Sequence, residues 1–240
     1  MFNRYCLGYD NKNNHKILRF LHHDNCRHVE HEIYDFKSDL WRVLDVTPDW
    51  ILPDYLQAGL SLKGNTYFVA RERLRMREYL ICFDFTSERF RHCLDLESKS
   101  LNGDTVILSP VREDQLAVLF YRVDTHDIDI RITRKIEANE VSWRSFLKVD
   151  VNPFMFSGML SEFLWYFFVD EKKNVALICD NQSAYMIGED NYFKIVALGK
   201  STPWPVVCSY VPSSVLIPKG PVHVRGKKKI RIICPLSLCS

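Results

Sequence analysis

Tyr34-Asp35-Phe36-Lys37-Ser38-Asp39-Leu40-Trp41 and, 49 residues on, Phe83-Asp84-Phe85-Thr86-Ser87-Glu88-Arg89-Phe90 follow one pattern: aromatic, Asp, Phe, any residue, Ser, acid, any residue, aromatic. Each copy reads as a strand, a polar turn and a returning strand. Tyr185 and Tyr192 repeat the seven-residue aromatic spacing 102 residues after the second copy, with Glu189 and Asp190 between them. A looser copy with a longer turn, Ile130 to Trp143, falls in the gap. Between copies lies a second kind of hairpin, around Lys63-Gly64-Asn65, Arg112-Glu113-Asp114 and Glu171-Lys172-Lys173-Asn174. Two hairpins in every ~50 residues make four strands per unit, which is the anatomy of a propeller blade.

Outward from these turns the chain continues as short apolar runs rich in Val, Ile, Leu and aromatics. They predict strands at 16–20, 40–46, 66–70, 79–85, 105–108, 116–123, 142–149, 175–179 and 192–198. Residues 127–134 alternate most cleanly, with Ile128, Ile130 and Ile132 on one face. Residues 139–146 also admit one turn of helix. The predicted fold is therefore all-β and propeller-like, with about four to five four-stranded blades in an open, incomplete ring. The unit spans 1–218 and a basic tail 219–240. In such an arc the repeated aromatics Tyr34, Trp41, Phe83, Phe90, Trp143, Tyr185 and Tyr192 are expected to pack between neighbouring blades.

Composition agrees with a globular chain: of 240 residues 47% are hydrophobic and 26% charged. The net charge of +2 conceals an uneven distribution. Residues 219–240 hold six basic side chains and no acid, which leaves 26 basic against 30 acidic over 1–218, a net of −4. Such a body offers no clustered positive face for phosphates, so no nucleic-acid partner is expected. The tail segment Gly226 to Arg231 reads either as a nuclear-localisation or phosphate-binding patch or as a solubilising end. Eight cysteines without a C-x-x-C pair read as reduced thiols of a cytoplasmic or nuclear protein. The longest apolar run, 163–169, is far short of the ~20 residues that span a bilayer.

Eight stretches, taken in order, resemble the plant F-box-associated interaction domain, type 1. They are Leu7-Gly8-Tyr9-Asp10 with His15 to Phe20, Ser61 to Tyr67, Cys82 to Thr86, Leu116 to Leu119, Val141-Ser142-Trp143, Phe146 to Asp150, Ile187 to Asp190 and Cys208 to Ser213. The resemblance implies a propeller-like module that binds a target protein for an SCF-type ubiquitin ligase. A separate F-box would dock it onto the adaptor Skp1. No F-box precedes the matching residues in this sequence, so target binding is expected of it and Skp1 or cullin docking only if an F-box lies upstream; the alternatives are a free-standing interaction module or a truncated relic, and, less favoured, a propeller hydrolase.

Little in the chain suggests chemistry. His15, His22, His23, His28 and His31, with Cys26 among them, match no tetrahedral metal spacing and read as a solvated, His-rich hairpin. None of the hydrolase, metalloprotease or nucleotide-binding motifs is present, so neither catalytic residues nor a cofactor is expected, and the chain reads as a binding module rather than an enzyme. Arg71, Arg73, Arg75 and Arg77 alternate with Glu72, Leu74 and Met76. In an extended segment their guanidinium groups share one face, suited to an acidic or phosphorylated target. The alternative is a solvated loop with Glu78 as local partner.

Overall fold

The computed structural model describes residues 4–22, 29–52, 59–73, 77–99, 104–122, 124–137, 140–150, 166–179, 183–190 and 192–197. These form seventeen strands in four antiparallel sheets. The first sheet is a meander of β1 (Arg4–Tyr9), β2 (His15–His22), β3 (Val29–Asp35) and β4 (Leu40–Leu44). In the second, two short pieces, β5 (Trp50–Ile51) and β6 (Leu60–Leu62), pair with opposite ends of β7 (Asn65–Glu72), followed by β8 (Arg77–Asp84) and β9 (Arg89–Lys99). The third is β10 (Thr105–Val111), β11 (Gln115–Arg122), β12 (Asp127–Glu137) and β13 (Glu140–Asp150). The fourth is β14 (Tyr166–Asp170), β15 (Val175–Cys179), β16 (Ser183–Gly188) and β17 (Phe193–Ala197). Residues 140–146, where a turn of helix was an alternative, are strand.

All four copies of the repeat occupy one place, the connection from third to fourth strand: β3–β4, β8–β9, β12–β13 and β16–β17. In the two strict copies the Asp builds the turn. The Oδ1 of Asp35 accepts from the amides of Lys37 and Ser38 at 2.7 and 3.3 Å, and that of Asp84 from Thr86 and Ser87 at 2.8 and 3.3 Å. The acid closing each turn, Asp39 or Glu88, is left-handed with φ near 59° or 54°. The repeat is thus an Asx turn seen from the sequence.

One apolar core lies between each successive pair of sheets. Leu18, Phe20 and Ile33 meet Ile81, Phe83 and Phe85. Tyr67, Leu80 and Cys82 meet Val106, Leu108 and Leu116. Leu119, Ile128 and Ile130 meet Phe167, Ile178 and Tyr185. First strands also neighbour one another in sequence order, β1 against β6 and β7, these against β10, and β10 against β14. This is the stacking of consecutive propeller blades, and among the described residues the four blades form an open arc.

Four of the seven repeat aromatics pack between blades: Phe83, Phe90, Trp143 and Tyr185. Tyr34, Trp41 and Tyr192 do not. Tyr34 and Trp41 pair on the far face of the first sheet, rings 5.2 Å apart, with the Arg19 guanidinium 4.2 Å over Trp41. Tyr192 lies outside its expected register because Tyr185 pairs with Ile195 instead.

The first and second blades approach closely at Gly8. A β-carbon there would fall 2.2 Å from the Phe85 ring and 2.4 Å from the Gly64 carbonyl oxygen. Gly8→Ala is expected to cost about 1–3 kcal/mol as overpacking. A Phe85→Leu second change should restore only part of this, because the Gly64 carbonyl is backbone; thermal melts of the single and double variants check it.

Candidate functional site

The first three motif stretches converge where the first and second blades join. The Tyr9 amide donates to the Gly64 carbonyl at 3.0 Å, the Ser61 hydroxyl to the Leu7 carbonyl at 2.6 Å, and the Asn11 amide to the Thr86 hydroxyl at 3.0 Å. Buried Lys16 crosses the same joint, donating to the Phe85 carbonyl at 3.2 Å and to Glu88 at 2.8 Å. Arg42 closes the cluster on Glu88 from β4. A similar clamp joins third and fourth blades, where Glu171 lies between Arg112, at 2.7 Å, and Arg144. These contacts tie adjacent blades together.

Three carboxyls at the first joint titrate low. Burial works against ionisation in each, and local donors overrule it. Asn14, the Lys12 amide and Lys16 hold Asp10 at about 2. The Ser87 hydroxyl, the Thr86 and Ser87 amides and Arg91 lower Asp84, while Arg42 and Lys16 lower Glu88.

Arg71 and Arg77, the two ends of the arginine segment, do not share a face. Arg71 lies on β7 and Arg77 on β8, and the antiparallel pairing of the two strands puts these two side chains on opposite faces. Arg71 is cross-strand from Glu78, both buried, with Nη2 3.0 Å from Oε1. Arg77 is the neighbour of Glu78 along β8, so it projects from the opposite face. Arg73 and Arg77 are exposed, and Arg75 lies outside the described residues. Of the N-terminal histidines, His31 is not solvated: it is buried among Phe20, Trp50 and Phe90. His15 lies against Tyr9, while residues 23–28 lie outside the described residues.

Arg77 instead stands at a cleft of about 390 Å³ on one face of the second sheet. Strand register assembles it. Trp50 pairs with Glu72, Tyr79 with Asp95, Ile81 with His92 and Phe83 with Phe90. The register shifts at Cys93, and this bulge puts His92 and Asp95, three apart, on the same face with their side chains 2.8 Å apart. The walls are aromatic: Trp50 and Phe90 are 4.8 Å apart, Tyr79 and His92 5.0 Å. Sequence reasoning missed this site, because its residues come from three separated segments and no motif marks them.

With this geometry in place, comparison with known proteins identifies the class. Residues 1–217 match the F-box associated beta propeller domain, and the chain belongs to that family. It is 44% identical over 95% of its length to a putative F-box protein of Arabidopsis thaliana, of which it covers 73%. It is 45% identical over 89% of its length both to an F-box protein and to an F-box/kelch-repeat protein of the same plant, spanning 63% of each. No solved structure matches the chain. Among the described residues no helix is long and apolar enough to cross a membrane.

Because the folded state holds Asp10, Asp84 and Glu88 below their unfolded values near 4, their stabilisation is present at neutral pH and is lost as pH falls from about 4 through the lowered values. Melting temperature should therefore drop steeply below about pH 4. Glu88→Gln should lose about 1–3 kcal/mol at pH 7 and show a shallower acid limb. Melts from pH 7 to 3 check both.

Proposed function

We propose that this chain binds a target protein for a ubiquitin ligase of the SCF type, as the recognition half of an F-box receptor. The observation that carries this reading is the family match across residues 1–217. It is supported by the first three motif stretches being engaged in the joint of the first and second blades, so that exposed hairpin ends and the cleft of the second blade are the surfaces offered to partners. The activity is binding rather than catalysis, and the work is done in the cytoplasm or the nucleus. Docking onto Skp1 and its cullin belongs to an F-box and not to these strands. Arg73 and Arg77, together with Arg75 from the same segment, are the cations offered to acidic groups of the target; Arg71 is committed to Glu78.

A pull-down tests this. Purified Skp1 should not be captured by the 240-residue chain and should be captured once an F-box is fused to its N-terminus. In plant extract with the proteasome inhibited, the fused chain should enrich a ubiquitinated protein that Arg73→Glu/Arg77→Glu no longer retains. That double change should leave stability within about 0.5 kcal/mol, since both side chains are exposed. Direct, robust Skp1 binding by the unfused chain would overturn the division of labour, and the absence of any ubiquitinated protein would overturn the receptor reading.

A further inference from the structure

The second-blade cleft has a charge and a lining that select a ligand. Asp49, Glu72 and Asp95 reach it from the segment before β5, the end of β7 and the middle of β9. All three line the cleft together with Tyr79, whose phenol is pushed up to about 12, first by burial and then by these three carboxylates in turn. The cations of the cleft are largely committed. Arg91 binds Asp84 at 2.6 Å, outside the lining, and His92 faces Asp95. Arg77 is exposed at the rim. Negative charge therefore prevails over a floor of Tyr79, Phe90 and Trp50, whose ring faces attract cations. At about 390 Å³ the cleft is at the small end of ligand sites, which run to roughly 1,000 Å³. That volume has room for one long side chain.

We propose that this cleft is the specificity pocket of the target-binding surface and takes a basic side chain, arginine or lysine, from an extended segment of the target. Carboxylates supply charge-assisted hydrogen bonds, the aromatic floor covers the aliphatic stem, and Arg77 meets an acidic neighbour of that side chain. The proposal rests on the target-binding reading above.

The test uses the intact chain and, as probe, a seven-residue peptide of Gly and Ser with one central Arg, titrated by calorimetry at low salt. The same peptide with Gln in place of Arg is the control. Wild type should bind the Arg peptide and not the Gln peptide. Asp49→Asn/Glu72→Gln should weaken binding roughly tenfold or more. Asp49→Lys, at an exposed position, should abolish it by filling the cleft with its own cation. Glu113→Gln/Asp114→Asn makes the same charge change at an exposed turn of the third blade and should alter affinity less than twofold. Equal weakening by both double variants, or equal binding of Arg and Gln peptides, overturns the pocket. Neither result touches Skp1 capture or ubiquitinated-target recovery, so failure of the pocket is distinct from failure of the receptor reading.

Discussion

Strand β11 has no wet side. Ala117, Leu119 and Tyr121 enter the core shared with the fourth sheet, and Leu116, Val118 and Phe120 enter the core shared with the second. A strand of this kind cannot sit in a sheet that leaves one face in water, because each exposed Leu, Val or Phe would forfeit roughly 1.5–3 kcal/mol. The second sheet is built alike, with Phe68, Ile81 and Phe83 facing one neighbour and Tyr67, Val69, Leu80 and Cys82 the other. Stacking of sheets is therefore forced by the two-faced strands, and the Asx turns, glycines and ion pairs decide only how closely the stack is drawn together.

That ordering explains what could be read beforehand. The turn grammar is local, so Asp35 and Asp84 with their following Ser announced the third-to-fourth strand connections, and the intervening hairpins stood where their polar turns indicated. Alternation at Ile128, Ile130 and Ile132 reported one buried face correctly. It concealed that the opposite face at Asp129 and Arg131 is partly covered as well, the pair hydrogen-bonded at 2.8 Å with the guanidinium 5.2 Å from the Phe120 ring. Aromatic spacing was a weaker guide: Tyr185 and Tyr192 kept the interval, but the strands pair in another register.

The arginine segment shows where pattern reading stops. Alternation predicts a shared face only while the chain stays extended, and a hairpin between Arg71 and Arg77 inverts the relation. The cleft was hidden for the complementary reason. Its carboxylates are far apart in sequence, and the bulge at Cys93 places His92 and Asp95 on one face although three residues apart would ordinarily oppose them. Tertiary register, which a single sequence does not display, creates the site.

The three cores also set how disturbance travels. Each is shared by two adjacent sheets, so among the described residues the blades form a linear array whose stability is a sum of nearest-neighbour terms, much as in a solenoid. An end blade is held by one such term and an inner blade by two. Fraying accordingly begins at an outer strand such as β4, where Trp41 and Val43 are already open to water, and loses strength as it moves inward. The second blade, which supplies the cleft floor, is clasped from both sides, so the cleft is kept rigid by its position in the row rather than by any bond of its own.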